Sequence, residues 1–163
     1  MKRLFTIAAT ILLLGVFAHA QDGKSIYNKF SDEKGVSAVY ISPSMFKMIG
    51  KLPEIQVGED GEKVDITPIV NTLKGFYLLS TSEKSVIERL NGDVKKLLGA
   101  GSYELMMEAK DDGETVRIYT DGDDSIIRSF VMMALDASEA TFISMDGLIN
   151  REALERAIGS SMR

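Results

Sequence analysis

Cysteine and tryptophan are absent from the 163 residues, and histidine occurs once. Without cysteine there can be no disulfide, no thiolate nucleophile and no thiolate ligand for zinc. The single histidine, His19, lies in an N-terminal apolar stretch that reads as a segment removed on export. What remains after that removal has neither imidazole nor thiol. Ser-His-Asp and Cys-His nucleophilic catalysis, histidine acid–base chemistry and the usual zinc, copper and haem ligand sets are therefore excluded for it. Any enzyme built on this chain would have to run on carboxylates, Lys, Tyr or Ser-Lys pairs. Proline is scarce as well, with three residues, and no repeat or low-complexity linker divides the sequence.

The apolar stretch has the three parts of an export signal. Lys2 and Arg3 form a positive start, Leu4 to Ala18 is almost wholly apolar, and Ala18-His19-Ala20 supplies the small residues that a signal peptidase reads. At about 15 residues it falls short of the roughly 20 needed to span a bilayer, and no basic stop-transfer flank follows. The expectation is a cleaved signal over residues 1–20, cut between Ala20 and Gln21, and a single domain over residues 21–163. The mature protein is then soluble, without a membrane span, and periplasmic or extracellular.

Basic charge is also in short supply. Lys2 and Arg3 leave with the signal, so 17 basic residues face 24 acidic ones and the net charge moves from −5 to −7. That balance opposes phosphate backbones and anionic lipid surfaces, so nucleic acid is not an expected partner. The one basic doublet, Lys95-Lys96, falls on the polar face of a helix and reads as a solvated pair.

What is present is secondary-structure patterning. Gly23 to Lys34 reads as a short amphipathic helix, Val36 to Ser42 as a strand, and the residues after Ser42-Pro43 as a helix with Met45, Phe46 and Ile49 inward. Lys51 to Asp65 reads equally as a hairpin, with Ile55 and Val57 opposite Val64 and Ile66, or as a mobile loop. Thr67-Pro68 starts a helix expected to close at Gly75, and Phe76 to Ser80 forms a strand. Val86, Leu90, Val94, Leu97 and Leu98 then fall on one helical stripe, with Ser82 as the expected cap and Gly99 as the stop.

From Ser102 the period changes from 3.6 to 2. Tyr103, Leu105, Met107 and Ala109 alternate with polar partners, Asp111-Asp112-Gly113 makes a tight turn, and Val116, Ile118 and Thr120 return. Ile126 to Leu135 and Thr141 to Met145 supply two more strands, and Asn150 caps a closing helix. The fold class is α+β. It comprises a mainly antiparallel twisted sheet, a four-strand C-terminal meander plus N-terminal strands, with helices packed on one face. In one reading of the alternation the helix-free face carries Glu104, Glu108, Lys110, Arg117 and Tyr119.

Four constellations were weighed for chemistry. Ser44-Met45-Phe46-Lys47 has the Ser-x-x-Lys spacing of penicillin-recognising enzymes but lacks their companion Ser-Asp-Asn and Lys-Thr-Gly elements. Asp121, Asp123 and Asp124 around Gly122 offer oxygens to a cation, yet lack the spacing of an EF-hand and have the composition of a hairpin turn. The methionines suit core filling better than copper, because Met106-Met107 and Met132-Met133 are strand neighbours that point to opposite faces. Met106 and Met132 fall on the wetter alternations, beneath a helix or at a contact surface. Gly99-Ala100-Gly101 follows a helix where a phosphate loop must precede one. No catalytic, cofactor-binding or metal-ligating residue is assigned.

Three stretches of this sequence resemble the domain of unknown function 4252, a family of small exported Bacteroidetes proteins. They are Val39-Tyr40-Ile41-Ser42-Pro43-Ser44-Met45-Phe46, then Tyr103-Glu104-Leu105-Met106 leading into Asp111-Asp112-Gly113-Glu114-Thr115-Val116-Arg117-Ile118-Tyr119, and Phe142-Ile143-Ser144-Met145-Asp146-Gly147. The resemblance spans roughly residues 24 to 158. It implies a periplasmic or surface location and supplies no catalytic residues. The functional expectation is a non-enzymatic envelope module that binds a protein or ligand. The alternative is a carboxylate-dependent hydrolase or lyase.

Overall fold

The computed structural model describes residues 22–49, 55–57, 62–64 and 67–154; the expected signal segment, with Ala20 and Gln21, lies outside them. The elements are α1 (Gly23–Phe30), β1 (Val36–Ile41), α2 (Pro43–Ile49), β2 (Ile55–Val57), β3 (Glu62–Val64), α3 (Thr67–Val70), β4 (Leu73–Thr81), α4 (Lys84–Ala100), β5 (Glu104–Asp111), β6 (Glu114–Gly122), β7 (Ile126–Leu135) and β8 (Ala140–Asn150). Six strands form one sheet in the order β1-β4-β8-β7-β6-β5, with every neighbouring pair antiparallel. The fold is α+β with a mainly antiparallel sheet, and the C-terminal meander returns to pair β8 with β4.

One connection decides this topology. β4 and β5 are consecutive strands, yet they stand four positions apart in the sheet. At ordinary strand spacing that gap is about 19 Å. The 17-residue α4 is about 25 Å long at 1.5 Å per residue, enough to cross it. Its apolar stripe, Val86, Leu90, Val94 and Leu97, is buried against Leu79, Val131, Met133 and Phe142 of the sheet, together with Ile26 and Phe30 of α1. Phe30, Phe142, Leu79 and Leu90 are fully buried, each contributing about 1.5–3 kcal/mol relative to exposure.

Local chemistry fixes the ends of the elements. Asp22 caps α1 through a reciprocal box: its Oδ1 accepts from Ser25 N at 2.7 Å while Asp22 N donates to Ser25 Oγ at 2.9 Å. The first turn of α1 sits hard on β8, since a Cβ at Gly23 would lie 1.9 Å from Ser144 Oγ. Between β5 and β6, Asp112 and Gly113 both adopt positive φ, at 40° and 88°, as the two-residue hairpin expected there requires. Asn150 Oδ1 accepts from Ala153 N at 2.9 Å, so the expected cap of the closing helix is present where residues 151–154 turn helical.

Several boundaries differ from the sequence expectation. α3 ends at Val70 rather than Gly75, because Leu73 already pairs with Gly147 and β4 begins there. Ser82 does not cap α4. The N-cap is Glu83, with no side-chain cap bond, and Thr81 Oγ1 accepts the Glu83 N–H at 3.1 Å instead. Gly99 does not stop α4, which runs one residue further before Gly101. β2 and β3 pair antiparallel, which favours the hairpin over the mobile loop.

Helices also reach both faces. α1 and α4 cover the face of Leu79, Val131 and Phe142, as expected. Phe46 of α2 and Val70 of α3 join Leu73, Ile127 and Ile149 in a second cluster against Ile41, Phe76 and Met145, which point to the reverse face at one end of the sheet. β5, expected to bury one side, is exposed along all eight residues because it is the sheet's outermost strand.

Candidate functional site

At the end of the sheet near the start of α1, side chains from β7, β8 and the α4–β5 turn converge. Ser129 and Asp146 are register partners on β7 and β8. Ser129 Oγ donates to Asp146 Oδ1 at 3.1 Å and lies 2.9 Å from Tyr103 Oη, so the Tyr103 hydroxyl completes the chain as donor. A cavity of about 420 Å³ opens beside them, flanked by Asp22 and Asp121, with Lys74 and Arg128 also on its wall. Burial pushes the Asp146 carboxyl above its usual range, and the negative charge of Asp22 adds to this; Ser129 and Lys74 pull the other way. Burial likewise raises the Tyr103 phenol, with Asp146, Asp121 and Asp22 all contributing. Tyr77, shielded from water and facing Asp146, Tyr40 and Asp22, is pushed up to about 12. It stacks on Tyr40 at 5.3 Å and lies 5.5 Å from Tyr27, forming a three-tyrosine cluster next to the cavity's acidic wall.

The arrangement can hold a proton on a carboxyl and present hydroxyls. Among the described residues no group of three or more His, Cys, Asp or Glu side chains lies close enough to hold a metal ion. Sequence reasoning missed this site because its members come from distant positions and each reads locally as a turn or strand residue.

The residues singled out from sequence fall elsewhere. Ser44 and Lys47 are both exposed on α2, away from the cavity. Asp123 is consumed by its own turn. Its Oδ1 accepts from Ser125 N, Ser125 Oγ and Ile126 N at 3.0, 2.8 and 2.9 Å, and its Oδ2 from Arg128 at 2.9 Å. Those donors hold its carboxyl far below the ordinary range, the signature of a capped turn. Lys96 reaches Asp93 at 3.5 Å but remains 73% exposed, and Lys95 is exposed too. Met45, expected inward, and Met48 are not core residues, with exposures of 43% and 58%, whereas Phe46 turns onto the sheet; the side chain of Ile49 lies outside the described residues.

The two faces of the meander are reversed relative to the reading that put charge on the helix-free side. Tyr119 pairs with Val131 and Arg117 with Met133, both core residues under the helices, so Arg117, Tyr119, Glu108 and Lys110 stand on the helix side, whereas Glu104, opposite Thr120 and in line with Phe130, is on the reverse face as expected. The reverse face carries three rows that cross the sheet. The central row is Met107, Ile118, Met132, Ile143, Leu78 and Val39, one residue from each strand and apolar throughout. The row nearest α2 and α3 includes Phe130, Met145, Phe76 and Ile41. The third contains Ala109, Val116, Ala134, Thr141, Ser80 and Ser37.

Within the central row Val39 and Met107 are 45% and 46% exposed, and the four between them are half-buried by their neighbours. At ordinary strand spacing the row is about 24 Å wide. Met132 thus lies in the uncovered middle of the reverse face rather than under a described helix. Met106 sits at a bulge, 49% exposed.

Among the described residues the molecule is thus an open antiparallel α+β sheet with one face packed by α1 and α4, an apolar reverse face that α2 and α3 cover at one end, and a small cavity lined mainly by polar residues. The chain matches the family model described as Domain of unknown function (DUF4252) over residues 27–157 and belongs to that family. No curated protein and no solved structure matches it.

Proposed function

We propose that the chain is an exported module of the cell envelope, periplasmic or extracellular, that binds a protein partner through the helix-free sheet face and has no catalysis of its own. The observation that carries this reading is the central row of six apolar side chains spanning the sheet, with no helix laid across it among the described residues. Soluble domains rarely leave a contiguous apolar surface of this width unless it meets something. The expected partner surface is apolar and gently concave or flat, to match a twisted sheet. No helix among the described residues is long and apolar enough to cross a membrane.

The reading is tested with an Ile118→Lys/Ile143→Lys variant, whose changes lie on this face and leave the helix-side core intact. Wild-type and variant proteins are compared side by side for capture from envelope extract after circular dichroism shows equal folding. Loss of wild-type-specific bands is expected, whereas equal capture by both proteins contradicts the reading.

The alternative, a hydrolase or lyase using carboxylates, would place its acid at Asp146, the carboxyl whose proton is held most firmly by burial. Its second carboxylate would be Asp22, which already caps α1, or Asp121. A turnover abolished by Asp146→Asn and retained in the Ile118→Lys/Ile143→Lys variant would favour it.

A further inference from the structure

We propose that β5 is a self-recognition edge through which two copies join as one twelve-stranded sheet, with a twofold axis at Ala109. This goes beyond the binding reading and does not depend on what the apolar face meets. Among the described residues β5 is hydrogen-bonded to β6 on one side only, and all eight of its residues are exposed. Edge strands of folded proteins are normally short, proline-bearing, bulged or charged, and the charges of β5, Glu108 and Lys110 among them, are of both signs and so can pair across a copy of the same edge. β5 has eight residues, no proline, and an irregularity confined to the Leu105–Met107 step. From Met107 to Asp111 it alternates regularly, opposite Ile118 to Glu114.

Symmetry then fixes the register. A twofold axis that reverses strand direction stands perpendicular to the sheet, so each face of one copy continues into the same face of the other. Residues meeting across the axis must therefore share a face. Glu108 and Lys110 are on the helix side, opposite Arg117 and Thr115, whereas Met107, Ala109 and Asp111 are on the helix-free side.

Centring the axis on Glu108 sets that carboxylate against itself, and centring on Lys110 or Asp111 does the same for those charges. Centring on Met107 would oppose Ala109 to Leu105, which the bulge has turned to the other face. Ala109 is the remaining centre. It places Glu108 opposite the partner's Lys110 twice, brings two small Ala109 side chains together so that the row of Ala109, Val116 and Ala134 runs on into its counterpart, and sets Met107 opposite the partner's Asp111. Opposite charges directly across an antiparallel pair favour the register, and like charges disfavour it. Glu108 and Lys110 already lie 2.8 Å apart within one chain, so both are positioned on the same edge.

The test uses the purified protein in sedimentation equilibrium, with three samples besides wild type. Lys110→Glu and Glu108→Lys each turn both facing pairs into like-charge pairs, and each should weaken dimerisation at least about tenfold. An equimolar mixture of the two variants restores both pairs in a mixed dimer and should recover wild-type association, which no folding defect would produce.

As the chain has no cysteine, Ala109→Cys provides an independent measurement. It should form a disulfide-linked dimer under mild oxidation much faster than an exposed control, Lys84→Cys. A monomeric wild type with equal cross-linking of the two cysteine variants would overturn the proposal. So would a dimer unaffected by Lys110→Glu.

Discussion

Asp93 shows how one residue can break the pattern of its element and still be paired. It lies on the buried stripe of α4, only 5% exposed, yet is charged. Burial alone would raise its carboxyl, but the Lys29 ammonium hydrogen-bonded to it, with Lys96 nearby, outweighs that and holds it below the usual value. The folded-state pKa is therefore lower than the unfolded one. The pair's contribution is complete well above pH 3.8 and is lost as the pH falls through the folded value. Asp93→Ala should cost about 1–3 kcal/mol at pH 7 and progressively less as the pH is taken below 3.8, as read by urea unfolding across that range.

Asp146 has the opposite sign. Its raised pKa means that ionisation works against the fold, so stability should fall as the pH climbs from below 3.8 through the folded pKa. Asp146→Asn should remove that slope and raise Tm at pH 7, a result that scanning calorimetry checks. Gly23 makes a purely steric prediction. Gly23→Ala should destabilise by about 1–3 kcal/mol, and Ser144→Ala should not rescue it, because the Ser144 Cβ also lies only 2.4 Å from the added methyl.

At the scale of elements, legibility followed periodicity. The stripe of α4 was readable because 3.6-residue spacing repeats over several turns, and the Asp112-Gly113 turn because only a few residue types accept its backbone. Leu90→Ala on that stripe should cost about 2–5 kcal/mol by denaturant unfolding, since the site is fully enclosed. Ends were less readable. α3 stops early because tertiary pairing of Leu73 with Gly147 outcompetes helical propensity, and α4 is capped without Ser82 because Thr81 supplies the acceptor.

Faces were the least readable feature of all. In β6 both alternations mix polar and apolar residues, Val116, Ile118 and Thr120 against Arg117, Tyr119 and Asp121, so composition alone does not say which side meets the helices. Arg117 and Tyr119 can lie on the helix side because long side chains keep their polar ends at the margin. Arg117 reaches Glu108 at 2.6 Å while Tyr119 packs on the core. The cavity around Asp146 was illegible for a different reason: its members are separated by up to 124 positions in sequence and meet only after β8 returns to β4 and β7.

For the whole molecule, the meander and the α4 crossover together produce an asymmetry. One face of the sheet is closed by α1 and α4, while among the described residues the other is covered at one end, by α2, α3 and Leu154. The apolar row between the covered end and the open edge is the surface to which the proposed function assigns binding. Pairing through β5 would join the same faces of two copies in one sheet without altering either fold.

The most direct test of that central claim is site-specific photocrosslinking in living cells. A benzophenone amino acid placed at Met132, in the centre of the row, should give a discrete adduct that disappears when Ile143→Lys is added, and the same probe at the exposed helix-side Lys95 should give none. Equal labelling from both positions, or none from Met132, would contradict the assignment of the helix-free face as the binding surface.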